Sequence, residues 1–169
     1  IITLLARRGE AAHCECFGVA DLEDQMPMQF DALFRIFSMT KPITSVALLM
    51  LYEEGHFQLS DPVSRFIPEF KETQVLAEAK EDEWRTTDLE REITLHDLFT
   101  HTAGLAYGLD RSSPVDVRYQ EEGVLRMDEP VGDKVKRIAA LPLANQPGEA
   151  WKYSVATDVL GYLVEIIAG

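Results

Sequence analysis

The sequence predicts an α+β protein, with an antiparallel hairpin near its start and helices through most of the remaining chain. Two short apolar segments, residues 1–6 and 11–17, flank a turn that contains glycine, which is typical of a β-hairpin. The longest apolar run, residues 43–51, has the composition of a helix buried on nearly all sides. Later segments open with proline or with capping residues, as helices commonly do. Strands followed by helices are characteristic of the α+β class.

The helix that contains the apolar run has a clear predicted end, and a second helix start follows it. Gly55 comes directly after two glutamates, and glycine readily adopts the left-handed conformation found just past a helix end. Asp61 and Pro62 are typical of an N-cap and a first helical residue. We therefore expect a short helix from Pro62 that Pro68 ends.

The second half of the chain predicts one more hairpin and several helices. Residues 73–79 and 84–89 flank the acidic segment 80–83, which favours a small exposed hairpin with a solvated turn. A Pro-Gly turn at residues 146–149 precedes the last apolar segment. The predicted helices run from Thr94 to Thr100, from Ser113-Pro114 onward, from Glu129-Pro130 to about Ala140, and from Val155 to Ala168.

Composition limits the classes of partner. The 169 residues are 46% hydrophobic and 27% charged, which is ordinary for a globular protein of one domain plus part of another. The net charge of −13 argues against nucleic acid or an anionic membrane as a partner. No apolar run approaches the ~20 residues of a membrane-spanning helix. Because the chain starts within a predicted strand and without methionine, we expect a fragment or a processed chain.

The two cysteines are predicted to be reduced residues of the core. Cys14 and Cys16 would point to the same face of a strand, and two thiols so close in sequence cannot close a useful loop. His13 would point to the opposite face, which disfavours a metal site formed by these three side chains.

A serine and a lysine stand at the start of the long apolar run, in the segment Ser38-Met-Thr-Lys41. One helical turn separates them, so both side chains are expected on the same side. A serine hydroxyl becomes a nucleophile when a neighbouring base takes its proton, and burial favours the neutral amine that a lysine needs to act as that base. Amides at a helix N-terminus favour developing negative charge. The segment therefore predicts Ser38 as nucleophile and Lys41 as base.

The same pair also has a structural explanation. Ser-x-x-Lys is frequent by chance, and serine is a favoured N-cap residue. Pro42 disfavours helical geometry at Lys41 and removes one amide, which only the first turn of a helix tolerates. The pair alone leaves a catalytic role and a capping role open.

Two histidines and a tyrosine are the other candidates. His96 and His101 could belong to a Ser-His-Asp triad, but the chain has no Gly-x-Ser-x-Gly segment. His101 falls at a helix end, where an imidazole commonly binds free carbonyl groups, so structural roles are favoured for both.

Tyr153 lies between a turn and the last helix, where its hydroxyl could reach a cleft, although a core tyrosine is the commoner case.

Three motifs in order resemble a known family. They are Ser38-Met-Thr-Lys41, Leu98-Phe-Thr-His-Thr-Ala-Gly-Leu105, and the segment 146–158, which contains Trp151-Lys-Tyr-Ser154. Together they resemble the serine beta-lactamase-like family, which includes class C beta-lactamases, DD-peptidases and family VIII carboxylesterases. The resemblance covers almost the whole chain. It implies an antiparallel sheet flanked by helices, a mostly helical second region, and an active site between them.

The resemblance also implies roles for three residues in acyl transfer through an acyl-serine. Ser38 matches the family's nucleophile, Lys41 the lysine that helps to activate it, and Tyr153 the tyrosine that moves protons to the nucleophile and the leaving group. For Tyr153 this reverses the preference for a core role. No metal and no organic cofactor are implied.

The chain departs from the family pattern at two places. Tyr153 is followed by Ser154 and Val155, where beta-lactamases and DD-peptidases usually carry Tyr-x-Asn, and this difference resembles the esterase branch. A further motif of the family, a Lys-Thr-Gly-like or Trp-Gly-Gly-like segment on a later strand that supplies an oxyanion-hole amide, has no counterpart before Gly169. We therefore expect the later strands of the sheet to be missing from this chain and the chain alone to be inactive.

These features predict three regions and one function. Residues 1–60 would hold the hairpin and the helix of the nucleophile, residues 61–150 a mostly helical region with a small hairpin, and residues 151–169 the tyrosine and a returning helix. The predicted function is hydrolysis of short-chain carboxylic esters, with a small-molecule ester as the partner and the oligomeric state open. A beta-lactamase or D-amino-acid peptidase with the same three residues is one alternative. An inactive penicillin-recognising homologue that only binds is the other.

Overall fold

The computed structural model describes residues 1–80 and 83–169, which divide into two compact units, Ile1–Ser38 and Met39–Gly169. The first unit begins with an antiparallel hairpin of strands β1 (Ile2–Arg7) and β2 (Glu10–Cys16). The connecting residues Arg8 and Gly9 have φ angles of 56° and 84°. Two residues with positive φ twist the backbone in the sense that suits paired strands. The predicted hairpin is confirmed.

The prediction that the cysteines are core residues is wrong for this hairpin. Cys14 is exposed and Cys16 is half-buried, and both thiols are free. Among the described residues this sheet has no strand besides β1 and β2, so strand alternation places the thiols on one face but does not bury that face. His13 instead places its Nε2 atom 2.8 Å from the hydroxyl of Thr3.

The second unit contains the helices and a second hairpin. Helix α5 packs against α1, α2 and α4. Its buried residues Ala156, Val159, Leu160 and Leu163 share one face of the helix and contribute to the core of this unit. The elements, within the described residues, are α1 (Thr40–Glu53), β3 (Val75–Lys80), β4 (Glu83–Thr87), α2 (Leu95–Phe99), α3 (Pro114–Glu121), α4 (Val131–Ala139) and α5 (Ala156–Ala168).

Helix α1 is correctly predicted in position but not in burial. It ends at Glu53, and Gly55 adopts the left-handed conformation with φ of 84°. Of its residues only Leu48 is fully buried, whereas Ile43, Val46 and Met50 are 61%, 57% and 58% exposed. The expectation of burial on nearly all sides is therefore wrong. One side of α1 packs against α5, and the apolar side chains elsewhere on the helix stay accessible.

The predicted helix starts differ in accuracy. Thr94 and Asp97 form a reciprocal capping box at the start of α2, and the hydroxyl of Ser113 accepts a hydrogen bond at the start of α3, as predicted. Asp61 does not cap the next helix. Its carboxylate accepts a hydrogen bond from the backbone of Gln58 and pairs with Arg65, so it closes the preceding turn instead.

The segment after Asp61 is wound more tightly than predicted. It forms 3₁₀ turns at Val63–Arg65 and Pro68–Glu72, so Pro68 starts a second turn rather than only ending the first. The second hairpin, β3 paired with β4, is confirmed. Residues 81 and 82 of its predicted acidic turn lie outside the described residues. A parallel bridge joins Val75 to Leu143 and attaches this hairpin to the body of the unit.

Over residues 1–80 and 83–169, the helices are too short or too polar to cross a membrane.

Candidate active site

Ser38 and Lys41 lie on either side of the start of α1. Ser38 is exposed, belongs to the 3₁₀ turn Phe37–Met39, and is the last residue of the first unit. Helix α1 begins two residues later, so Lys41 is in its first turn and belongs to the second unit. Phe37 has a φ of 45°, which is unusual for a residue with a side chain. Such backbone strain, of ~1–3 kcal/mol, is concentrated at functional sites in proteins.

Two loops of the second unit are held side by side by backbone hydrogen bonds. The amide of Lys152 donates to the carbonyl of His101 at 2.9 Å, and the amide of Val155 donates to the carbonyl of Ala106 at 3.1 Å. Gly104, between them in the first loop, has a φ of 80°, and a Cβ atom there would lie 2.2 Å from the carbonyl oxygen of Asn145. A glycine is therefore required at position 104, because the loops approach each other so closely there.

The amine of Lys41 lies over two tyrosine rings that these loops carry. The rings of Tyr107 and Tyr153 are stacked, with centroids 5.1 Å apart and planes inclined by 13°. The Nζ atom of Lys41 is 4.9 Å from the centroid of the Tyr153 ring and 5.5 Å from that of Tyr107. Both distances are within the range of cation–π attraction. The structure thus brings together Lys41 and Tyr153, two of the three residues predicted for the site.

His101 packs against the same cluster. Its ring centroid is 5.1 Å from that of Tyr153 and 6.4 Å from that of Trp151, and its Nδ1 atom is 3.1 Å from the hydroxyl oxygen of Ser154. Burial, and then the nearby charge of Lys41, lower the pKa of His101 below its ordinary value. The imidazole therefore favours the neutral form and contacts a serine hydroxyl rather than a free helix carbonyl. His96, by contrast, is exposed on α2.

An ion pair with a buried carboxylate lies next to the tyrosine cluster. The Nζ atom of Lys152 is 2.8 Å from Oδ2 of Asp116, whose side chain is only 3% exposed. Burial raises the pKa of Asp116, but hydrogen bonds from Lys152, Ser113 and Gly108 outweigh it and bring the pKa to about 2. Asp116 therefore stays ionised at neutral pH.

Sequence reasoning did not predict Tyr107, Asp116 or Lys152 as part of this region. Lys152 directly precedes Tyr153, and Tyr107 follows the motif that ends at Leu105 by two residues, so both lie close to recognisable motifs. Asp116 carries no such signal, because it looks like an ordinary acidic residue in the first turn of a helix.

In the described part of the chain, no three or more histidine, cysteine, aspartate or glutamate side chains are grouped to hold a metal ion.

Comparison with known proteins places the chain in a family. The Beta-lactamase family model matches residues 2–169. The chain belongs to the beta-lactamase family. This membership confirms the resemblance that the three motifs indicated, and with it the predicted beta-lactamase/transpeptidase-like α+β fold.

The relatives of this beta-lactamase-family chain include esterases and acyltransferases. Esterase EstB of Burkholderia gladioli is 38% identical over 170 residues, which cover 99% of this chain and 41% of EstB. The structure of EstCE1, described as a hydrolase with promiscuous acyltransferase activity, superposes with a TM-score of 0.82 at 31% identity and covers 99% of this chain and 42% of that one. Unliganded simvastatin synthase (LovD) of Aspergillus terreus gives a TM-score of 0.74 at 32% identity, over 95% of this chain and 42% of that one. The chain thus spans about two fifths of the length of these relatives.

Proposed function

We propose that the protein containing this chain hydrolyses short-chain carboxylic esters through an acyl-serine, with Ser38 as nucleophile and Lys41 and Tyr153 as the groups that move its proton. The observation that carries the proposal is the position of the Lys41 amine, 4.9 Å from the centroid of the Tyr153 ring. Lys41 follows Ser38 by three residues, so one short segment supplies the nucleophile and a cation beside a phenol.

The proposed reaction has two stages. In the first, the Ser38 oxygen attacks the ester carbonyl carbon while its proton passes to the Lys41–Tyr153 pair, and the alcohol leaves with a proton returned by that pair. In the second, water attacks the acyl-serine, loses its proton to the same pair, and Ser38 regains a proton as the carboxylic acid leaves. Atoms and charges balance without a cofactor.

Two observations favour esters over beta-lactams and D-amino-acid peptides. Val155 occupies the position two residues after Tyr153 where amide-cleaving members usually carry asparagine, and its side chain is packed in the core with 1% exposure. That position therefore supplies no amide to hold a substrate amide. Esterase EstB, 38% identical, supports the same preference.

Trp151 favours an apolar group in the substrate. It is 68% exposed and lies edge-on to His101, which in turn contacts Tyr153. An exposed indole beside a candidate catalytic residue is suited to contact an apolar acyl or alcohol group.

Acyl transfer is a second candidate function. EstCE1 is described as having promiscuous acyltransferase activity, and simvastatin synthase is a further relative. An acyl-serine can pass its acyl group to an alcohol as readily in principle as to water, because both attack the same carbonyl carbon. Adding a short alcohol to the hydrolysis reaction and measuring the new ester against the free acid separates the two outcomes.

The substrate preference is tested with the full-length protein. We expect p-nitrophenyl butyrate to be hydrolysed with a kcat/KM well above that for nitrocefin, and Ser38→Ala to abolish both activities. Faster hydrolysis of nitrocefin would contradict the ester assignment and favour a beta-lactamase. A full-length protein that takes no fluorophosphonate label on Ser38 would instead be an inactive binding homologue.

A further inference from the structure

The carboxylate of Asp116 holds the loop that carries Tyr107. Its Oδ1 atom accepts hydrogen bonds from three consecutive amides, those of Tyr107 at 3.3 Å, Gly108 at 2.8 Å and Leu109 at 3.2 Å. Asp116 is itself fixed in the first turn of α3, where its amide donates to the hydroxyl of the N-cap residue Ser113. One oxygen of this side chain therefore determines the course of the backbone at Tyr107.

The other oxygen of Asp116 holds the loop that carries Tyr153. Oδ2 lies 2.8 Å from Nζ of Lys152, and Lys152 immediately precedes Tyr153 in the chain. The backbone amide of Lys152 is bonded to His101, so the position of the lysine is fixed at both its main chain and its side chain. A single buried carboxylate thus connects the two chain segments whose rings are stacked.

We propose that the Asp116–Lys152 ion pair is a positioning element that holds the rings of Tyr107 and Tyr153 together beneath the amine of Lys41. The inference rests on the proposed function, since the ring geometry matters for catalysis only if Tyr153 moves a proton. Asp116 and Lys152 act through the tyrosines and are not themselves catalytic residues.

A contribution to stability alone does not explain the pair well. The side chains of Asp116 and Lys152 are 3% and 24% exposed, and the desolvation of such charges offsets much of their attraction. Apolar residues of similar volume often stabilise a protein as much or more. The value of charge here lies in its placement, because Oδ1 of one carboxylate accepts from a row of three amides while its Oδ2 lies 2.8 Å from an ammonium.

The first test observes the rings directly and does not depend on activity. Stacked aromatic rings shift each other's NMR signals, so the ring protons of Tyr107 and Tyr153 are assigned in the full-length protein with Tyr→Phe variants. We expect Asp116→Asn and Lys152→Met each to move these signals toward the values of unstacked tyrosine. Glu129→Gln is the matched control, because Glu129 forms a similarly shielded ion pair with Arg137, outside the tyrosine cluster.

The second test measures the consequence for the reaction. Kinetics are normalised to the number of sites titrated by a fluorophosphonate, so that any unfolded fraction is removed from the comparison. We expect kcat per titrated site to fall about 100-fold in Asp116→Asn and Lys152→Met, the size of loss that a misplacement of about 1 Å produces, while KM changes little. Glu129→Gln should retain the parental kcat per site.

The outcomes separate the positioning role from the proposed function. Unchanged ring signals in Asp116→Asn and Lys152→Met, or an unchanged kcat per titrated site with only a lowered melting temperature, would overturn the positioning role. If the ring signals move but the parental protein shows neither label on Ser38 nor esterase activity, the ion pair positions the rings as inferred and the proposed function is the part that fails.

Discussion

At the residue scale, the proposed chemistry depends on where one amine lies. Lys41 follows the proposed nucleophile by one turn, and its Nζ atom is over the rings of Tyr153 and Tyr107 at 4.9 and 5.5 Å. The amine interacts with ring faces, so the attraction needs the aromatic rings but not their hydroxyl groups. The proposed proton transfer, in contrast, needs the hydroxyl of Tyr153. The two contributions can therefore be separated by substitution.

Tyr153→Phe removes the hydroxyl and keeps the ring. We expect kcat for ester hydrolysis to fall by roughly 10²–10⁴-fold, the usual contribution of a positioned acid or base, with little change in KM. Steady-state kinetics on p-nitrophenyl butyrate measure both constants.

Tyr162→Phe is the matched control for that substitution. Tyr162 is a half-buried tyrosine of α5 whose ring packs beside Gly132, so the same atom is removed outside the proposed machinery. It should keep parental rates. A Tyr153→Phe protein that is as fast as this control would contradict the proton-transfer role.

Candidate site residues that share a short sequence segment could be proposed from the sequence, and residues connected only by tertiary contacts could not. Ser38 and Lys41 could be proposed because one segment contains both, and Tyr153 because the resemblance matched its motif. Asp116 is separated from Lys152 by 35 intervening residues, so nothing local in either segment indicates that a carboxylate of α3 contacts the lysine beside Tyr153.

His101 was predicted to bind helix carbonyls, but the folded chain places its Nδ1 beside Ser154 instead.

At the scale of elements, local signals located most helix starts. The capping box of Thr94 and Asp97 is made within four residues, so sequence alone could indicate it. Burial of α1 was predicted wrongly because an apolar composition does not specify which faces other elements cover. Asp61 was misassigned because the same side chain can close the preceding turn or cap the following helix, and only the folded chain distinguishes these.

The capping box at α2 makes a measurable contribution to stability. Thr94→Ala removes the hydroxyl that accepts from the amide of Asp97, so we expect the free energy of unfolding to fall by about 1 kcal/mol. Urea unfolding followed by circular dichroism measures this change. Thr94→Ser, which keeps the hydroxyl, should recover most of the loss, and an equal loss in Thr94→Ser would rule out the cap as its cause.

At the scale of the whole molecule, charge determines how the fold responds to acid. The net charge is −13, and two buried carboxylates, Asp97 and Asp116, have pKa values of about 2. Burial raises the pKa of Asp97, but hydrogen bonds from Arg91 and Thr94 outweigh it. For each group the folded pKa is below the unfolded value of 3.8, so the unfolded chain binds protons first as the pH falls.

Stability should therefore decrease as the pH falls from about 4 to about 2, the interval between the unfolded and folded pKa values of Asp97 and Asp116. Above this interval both carboxylates are ionised in either state, and their stabilisation is fully present. Urea unfolding at a series of pH values measures the slope. The double substitution Asp97→Asn and Asp116→Asn should flatten it, and a slope as steep as that of the parental protein would contradict the assignment of these two groups.

The most direct test of the central claim is the site of covalent labelling in the full-length protein. The protein is treated with a fluorophosphonate, and its intact mass and its peptides are measured. We predict one adduct, on Ser38, that is absent in Ser38→Ala and forms far more slowly in Lys41→Ala, because nucleophile and base act as a unit. Labelling of a different serine, or labelling of Ser38 at the parental rate when Lys41 is replaced, would contradict the account.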